Sequence, residues 1–413
     1  MPLRSSRVQR QVSLPVLTSS SMVVSLVACN ISDNINLSSK LLTDTNSRIN
    51  CMHFDIVSLG DHLPDPHTGR YNETQAERYQ FWVELGMRAE KCGYSAIWLG
   101  EHHCSDYIGS SPQMVLAAIA VRTQKIRLGT AVSLLPNHDP VRLAEEFAVL
   151  DLLSQGRAEI GFGSGYTAHT FDLFGQNIDD VREISAENLA LLHTLWDEGD
   201  IDWQGQFRAP IRQSALQPRT YSGRSLPINI ATASNETNAR IAGENGYKLM
   251  LMTVVGKFSD MRHLADVYRE SYCASGHDPA DMSVSAVAYV HVQFSGDAAR
   301  DTWFPYRDNY RSFTKALTEA KGLTAGVLEV SKRIAKERFV AREADFCGDP
   351  GEVTLQVLQA HHDLGGLDRL ICYVDCGGMA GPAVLGSVEL FANRVIPAVN
   401  DELGSILPIA SVK

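Results

Sequence analysis

Two adjacent histidines, His102 and His103, close the run Ser95-Ala96-Ile97-Trp98-Leu99-Gly100-Glu101 and are the residues best suited to acid–base chemistry in this chain. Imidazole titrates near neutrality, so one facing a pocket can serve as acid, base or hydrogen-bond donor to an oxyanion. Metal-dependent barrel hydrolases use His-x-His, which puts both rings on one side of a strand, whereas adjacent residues point to opposite sides. One ring of this pair can therefore face a pocket while the other packs outward. The bland alternative is that both are hydrogen-bonded at a rim. A second polar tip, Gly161-Phe162-Gly163-Ser164-Gly165-Tyr166, is glycine-rich but not a dinucleotide fingerprint, which needs G-x-G-x-x-G opening a helix directly. Its glycines suit close approach of a flat or phosphorylated ligand to the backbone. Arg182 opens a helix, where a single charge is by itself a solvated face. Asn235 and Thr237 precede another helix and could bind a phosphate through backbone amides or simply cap it; the pattern alone leaves both open.

These tips need elements to hold them. From Met52 onward, short apolar runs bounded by glycine or turn residues alternate with amphipathic helical segments. Strands are expected at 54–59, 95–99, 126–132, 157–162, 227–231, 248–252, within 282–294, and at 370–374. Helices are expected at 77–92, 112–122, 140–153, 182–196, up to 244, 258–274, 350–362 and 384–395. Ile201 to Phe207 reads as a small hairpin, and 297–346 as a helical, irregular insertion. Eight alternations without a second nucleotide fingerprint favour a closed (β/α)8 TIM barrel over an open sheet, with reactive groups where strands end.

With 44% hydrophobic and 21% charged residues, the 413-residue chain can bury a large core. Its net charge of −11 argues against nucleic acid as a partner, and no apolar run approaches a membrane span. The eight cysteines include no CxxC pair, so neither zinc nor a disulfide framework is signalled. Residues 1–51 carry a net +3, leaving −14 on the remainder. They are Ser-rich, without periodicity, and expected to be poorly ordered. An organelle transit segment, a lipoprotein-like site at Cys29, and a true start at Met52 compete. The expected organisation is an extension at 1–51, a barrel domain at 52–402 and a tail at 403–413, in a cytoplasmic protein or, by the transit reading, an organellar one.

From Met52 to about Asn400 the chain resembles the bacterial luciferase-like family of flavin-dependent monooxygenases. The resemblance lies in Gly93-Tyr94-Ser95-Ala96-Ile97-Trp98-Leu99-Gly100-Glu101-His102-His103, in Leu135-Pro136 with Pro140-Val141-Arg142-Leu143-Ala144-Glu145, and in Leu150 to Arg157. Phe174-Gly175, Glu389-Leu390-Phe391-Ala392 and Val395-Ile396-Pro397 also agree. It implies a barrel that binds reduced FMN, reacts it with O2 to a flavin C4a-peroxide and oxygenates a small organic substrate. By the same resemblance His102 is the catalytic residue. Arg182, Ser234, Asn235 and Asn238 contact the cofactor phosphate, Ala131-Val132 form a cis peptide beside the isoalloxazine, and Ser164 and Tyr166 join the cofactor site. Gly163 and Ser164 stand where luciferase has a reactive cysteine and an arginine, so light emission from a long-chain aldehyde is not implied. A separate flavin reductase is expected because no nicotinamide site is visible, and a homodimer because the family commonly pairs. The alternatives are a deazaflavin (F420) hydride-transfer enzyme of the same barrel family and a metal-dependent barrel hydrolase.

Overall fold

The computed structural model describes residues 51–163, 165, 168–197, 199–319 and 343–405. The expected extension, apart from Cys51, lies outside them. Twelve strands run in chain order as β1 His53–Ser58, β2 Ala96–Leu99, β3 Arg127–Thr130, β4 Ser133–Leu134, β5 Ala158–Gly163 and β6 Ile201–Trp203, then β7 Ile211–Ser214, β8 Ile228–Thr232, β9 Lys248–Leu251, β10 Val284–Val292, β11 Asp345–Gly348 and β12 Arg369–Tyr373. Eight of them, β1-β2-β3-β5-β8-β9-β10-β12, are parallel and close through the β12–β1 pairing into a barrel. Both faces of each barrel strand are covered, which is why their sequences read as nearly unbroken apolar runs. The antiparallel β6–β7 hairpin stands apart from the barrel.

The helices are α1 Gln75–Lys91, α2 Pro112–Ala120, α3 Pro140–Ser154, α4 Ala168–Leu173, α5 Val181–Asp197, α6 Glu236–Glu244, α7 Phe258–Ala274, α8 Gly296–Glu319, α9 Pro350–Asp363, α10 Gly381–Leu390 and α11 Ile396–Ser405. Their starts follow local chemistry. Thr74 with Glu77, and Asp349 with Glu352, form reciprocal capping boxes, and Pro140 and Pro350 occupy first-turn positions that need no N–H donor. Gly93 and Gly156 turn the chain after α1 and α3 with φ of +85° and +86°. On α2 and α3 the apolar positions divide: Leu116, Ile119, Leu143 and Phe147 are buried, while Met114, Val121, Val149, Leu152 and Leu153 are exposed.

Three details differ from the sequence expectation. The insertion is not helical to residue 346, because β11 pairs beside the upper half of β10, Tyr289 opposite Asp345. The closing helix begins at Gly381 and passes through a wide turn at Phe391–Val395 into α11. That last helix runs to Ser405 with Leu403 buried, so the ordered domain passes the expected boundary at 402.

The lower barrel interior is filled by charge as well as by carbon. The Trp98 indole N–H donates to Asp55 Oδ2 at 2.8 Å, and Arg369 Nη1 lies 3.3 Å from the same oxygen and 3.4 Å from Glu159 Oε2. Lys248 Nζ reaches Glu159 at 3.5 Å, and Arg127 pairs with its other side. Burial alone would raise the Glu159 carboxyl, but Lys248, Arg369 and Arg127 hold it down to about 2. Asp55 is pushed up to about 6 by burial that Arg369 only partly offsets.

Space above this layer is made by missing side chains. A Cβ on Gly129 would lie 2.3 Å from the Trp98 ring, and one on Gly161 would lie 2.1 Å from the Thr130 carbonyl oxygen. Overpacking a core typically costs about 1–3 kcal/mol, and a backbone oxygen cannot swing aside. Gly161→Ala should destabilise the protein by about that amount in urea unfolding. Gly386→Ala, on exposed α10 with nothing within 4 Å of its added Cβ, should instead be neutral or gain up to about 1 kcal/mol.

Candidate active site

All eight barrel strands point the same way, so their C-terminal ends gather the loops that carry the polar residues singled out above. β2 ends at Leu99, and the alternation of a strand does not continue into Gly100–His103. The two imidazoles nevertheless part company. His102, half-buried, stacks on Tyr107 with ring centroids 3.9 Å apart and planes 15° from parallel. His103 turns to Glu101, its Nε2 2.8 Å from Oε1, and sets its ring edge-on to Phe174. Its side chain is only 12% exposed, so it belongs to a buried polar network rather than packing outward.

Tyr107 is held from several directions. It forms a β-bridge with Asp61, and its hydroxyl lies 2.6 Å from that of Tyr310 on α8. Tyr310 packs edge-on to Tyr373 at the end of β12, and the Tyr373 hydroxyl donates to Asp61 Oδ1 at 2.7 Å. Gly377 N–H satisfies Asp61 Oδ2 at 2.8 Å. Burial pushes the Asp61 carboxyl up to about 6, against the pull of Arg78. Helix α8, from the insertion, thus lies over this side of the barrel mouth. Its buried face also ties Arg307 and Arg311 to Asp345 on β11, and Asn309 to the carbonyls of Pro64 and Gly377.

On the other side of His102, Glu101 is the centre of a constellation that the sequence reading left without a role. It is 2% exposed and accepts from His103, from His138 Nε2 at 2.8 Å, and from the Leu134 amide at 3.0 Å. Burial alone would raise its carboxyl, but the imidazole hydrogen bonds hold it down to about 2. Burial would likewise lower His138, yet Glu101 raises it above its ordinary value. A carboxylate written directly before two histidines at a strand end was the available signal.

The peptide between Ala131 and Val132, beyond β3, is cis. Val132 faces Gly163 so closely that a Cβ there would lie 2.6 Å from its Cγ2. The openings at Gly161 and Gly163, expected to admit a ligand, are filled by the Thr130 carbonyl and the Val132 side chain of the chain itself. Ser164 and Tyr166 lie outside the described residues.

Arg182 is exposed in the first turn of α5 and makes no ion pair among the described residues. Ser234, Asn235 and Asn238 lie on the turn from β8 into α6, and β5, the strand before α5, and β8 are barrel neighbours. Asn235 does cap α6, its Oδ1 accepting from Thr237 N–H at 2.9 Å. Its Nδ2 is 3.4 Å from Asn238 Oδ1. Among the described residues no three His, Cys, Asp or Glu side chains converge to hold a metal, and no helix is long and apolar enough to cross a membrane.

Residues 52–366 match the sequence profile of the luciferase-like monooxygenase family. The chain belongs to that family. It is 26% identical over 339 residues to the oxygenase component of the flavin-dependent trigonelline monooxygenase of Acinetobacter baylyi, covering 80% of this chain and 92% of that protein. The fold is shared with the oxygenating constituent of 3,6-diketocamphane monooxygenase of Pseudomonas putida, solved with FMN, at a TM-score of 0.67 and 16% identity over 84% of this chain and 98% of that one. It is shared equally with an F420-dependent secondary alcohol dehydrogenase, at a TM-score of 0.63 and 16% identity over 84% and 99% of the two chains. Membership makes this luciferase-like protein a monooxygenase-family oxidoreductase of the flavin-dependent kind, built on a TIM barrel.

The Tyr107–Tyr310 contact couples the insertion helix to the loop that carries His102. Removing both hydroxyls with Tyr107→Phe and Tyr310→Phe in a double-mutant cycle should show a coupling of about 0.5–1.5 kcal/mol in unfolding free energy. Additive single losses would mean that the two hydroxyls do not act together.

Proposed function

We propose that this protein is a monooxygenase that takes up FMN already reduced by a separate reductase, and uses it with O2 to place one oxygen atom in a small organic substrate. The observation that carries this reading is that the residues the family resemblance assigns to a phosphate, Arg182 after β5 and Ser234, Asn235 and Asn238 after β8, follow neighbouring barrel strands on the same barrel end as His102. Arg182 offers a guanidinium without an ion pair among the described residues, Ser234 a hydroxyl, and Asn235 and Asn238 amides beside the N-terminus of α6. That donor set fits a phosphate monoester, for which helix amides and arginine are the usual partners.

Reduced FMN, when bound, supplies the electrons that activate O2. The chain's own residues do the rest. Arg182 and the α6 turn anchor the phosphate end, remote from the reacting atoms, and so contribute binding energy. His102, its plane set by Tyr107, holds or delivers a proton where negative charge builds on oxygen. Its half-buried position on the loop after β2 limits the water around that proton. The name of the Acinetobacter relative, an oxygenase component, supports supply of reduced flavin from outside. Likeness to the F420-dependent dehydrogenase supports a second reading, hydride transfer with a deazaflavin bound by the same phosphate donors.

The two assigned roles separate in kinetics. Arg182→Ala should weaken binding of reduced FMN about tenfold to a hundredfold, the worth of a charge-assisted contact. His102→Ala should bind it nearly normally but turn over about 100-fold to 10,000-fold more slowly, with the reducing equivalents appearing as hydrogen peroxide. Turnover in both cases is to be measured with a flavin reductase present, and none is expected from NADPH without it. Equal loss of flavin affinity in the two variants would contradict this division of roles.

A further inference from the structure

We propose that Glu101 is a positioning residue: by accepting from His103, from His138 and from the Leu134 amide, it clamps the loop after β2, which carries His102, to the turn after β3, which carries Ala131 and Val132. This rests on reading the mouth as a flavin site and concerns how that site is kept assembled. The Leu134 N–H lies two residues beyond Val132, and His138 ends the same turn, so both its limbs are pinned to one carboxylate. The turn is held on its far side by Asn188 of α5, whose amide donates to the carbonyls of Leu135 and His138 at 3.0 and 3.3 Å. The three donors converge on a group 2% exposed, where an unbalanced carboxylate would be costly.

The clamp is charged, so it carries a pH signature. The groups that face His138 are Glu101, with His103 across the shared carboxylate, and Glu146 on α3 with Arg142 and Glu145 beside it. Asp139, the next residue, is paired with Arg208 from beyond β6, and Asn188 on the α5 side is neutral. Because His138 is raised above its ordinary value, its charge is fully present below that value and is lost as pH rises through the raised one. Glu101 stays anionic until pH falls to about 2. The clamp therefore carries its full charge on the acid side of the ordinary imidazole value and weakens as pH rises through the raised one.

The test is binding of oxidised FMN, followed by flavin fluorescence from about pH 5 to 9, the range in which imidazoles titrate in proteins. The parent protein should bind evenly at the acid end and more weakly as His138 loses its proton. Glu101→Gln, nearly isosteric, should lower affinity at the acid end about tenfold, the usual worth of a hydrogen bond to a charged group, and should abolish the alkaline fall. A Glu101→Gln protein with parent affinity and the same alkaline fall overturns the proposal. If that variant fails to fold by circular dichroism, His138→Gln carries the test: loss of the alkaline fall supports the clamp and its persistence overturns it. Absence of any FMN binding by the parent overturns the flavin reading and the clamp with it, and so is told apart from failure of the clamp alone.

Discussion

A closed barrel of eight parallel strands has to fill a narrow interior from strands that all run the same way, and here one large ring does much of the filling. Trp98 projects inward from β2 across Gly129 on β3, where any side chain would collide with it, and its indole nitrogen is met by Asp55 on β1. Beneath it Arg369 stacks 5.8 Å from the ring and links Asp55 to Glu159. The interior is thus plugged by a tryptophan above a hydrogen-bonded charge layer. Burying Asp55, Glu159 and Arg369 at the floor is tolerable because each carboxylate faces cations at short range, Glu159 also from the half-buried Arg127 and Lys248; removing one partner would leave an uncompensated charge.

Above the plug the two halves of the mouth are built differently. Around β2, β10 and β12 the chain packs aromatic rings, Tyr107, Tyr289 and Tyr373, against Tyr310 of the insertion helix α8. Around β3, β5 and β8 it presents Arg182, which has no ion pair among the described residues, a helix start and small residues. His102 stands between a ring that fixes its plane and a carboxylate network that fixes its neighbours. Such a division suits a cofactor with a flat ring at one end and a phosphate at the other, and it confines acid–base chemistry to one edge of the pocket.

Much of this was legible from residue order. The strands could be read because doubly covered parallel strands are apolar throughout, and α7 is placed residue for residue by its period and by Gly276 beyond it. The pairing of β11 with β10 could not, since Asp345 to Gly348 is a four-residue run whose partner is over fifty residues away. Nor could the Glu101–His138 contact, which joins residues 37 apart through the curvature of the barrel. The glycines at 161 and 163 stand out in the sequence, but they also admit the protein's own backbone and side chain, a packing need that looks the same in sequence as a ligand need. His102 and His103 do diverge as alternation suggests, but in a loop beyond the strand, so the direction of His103 followed Glu101 rather than the pleat.

The central claim is that this mouth holds a reduced flavin rather than a deazaflavin, and anaerobic equilibrium titration with reduced FMN and with reduced F420, followed by intrinsic tryptophan fluorescence, tests it directly. The account predicts saturable binding of reduced FMN that excess reduced F420 does not displace. Saturable binding of reduced F420 with none of reduced FMN would contradict it.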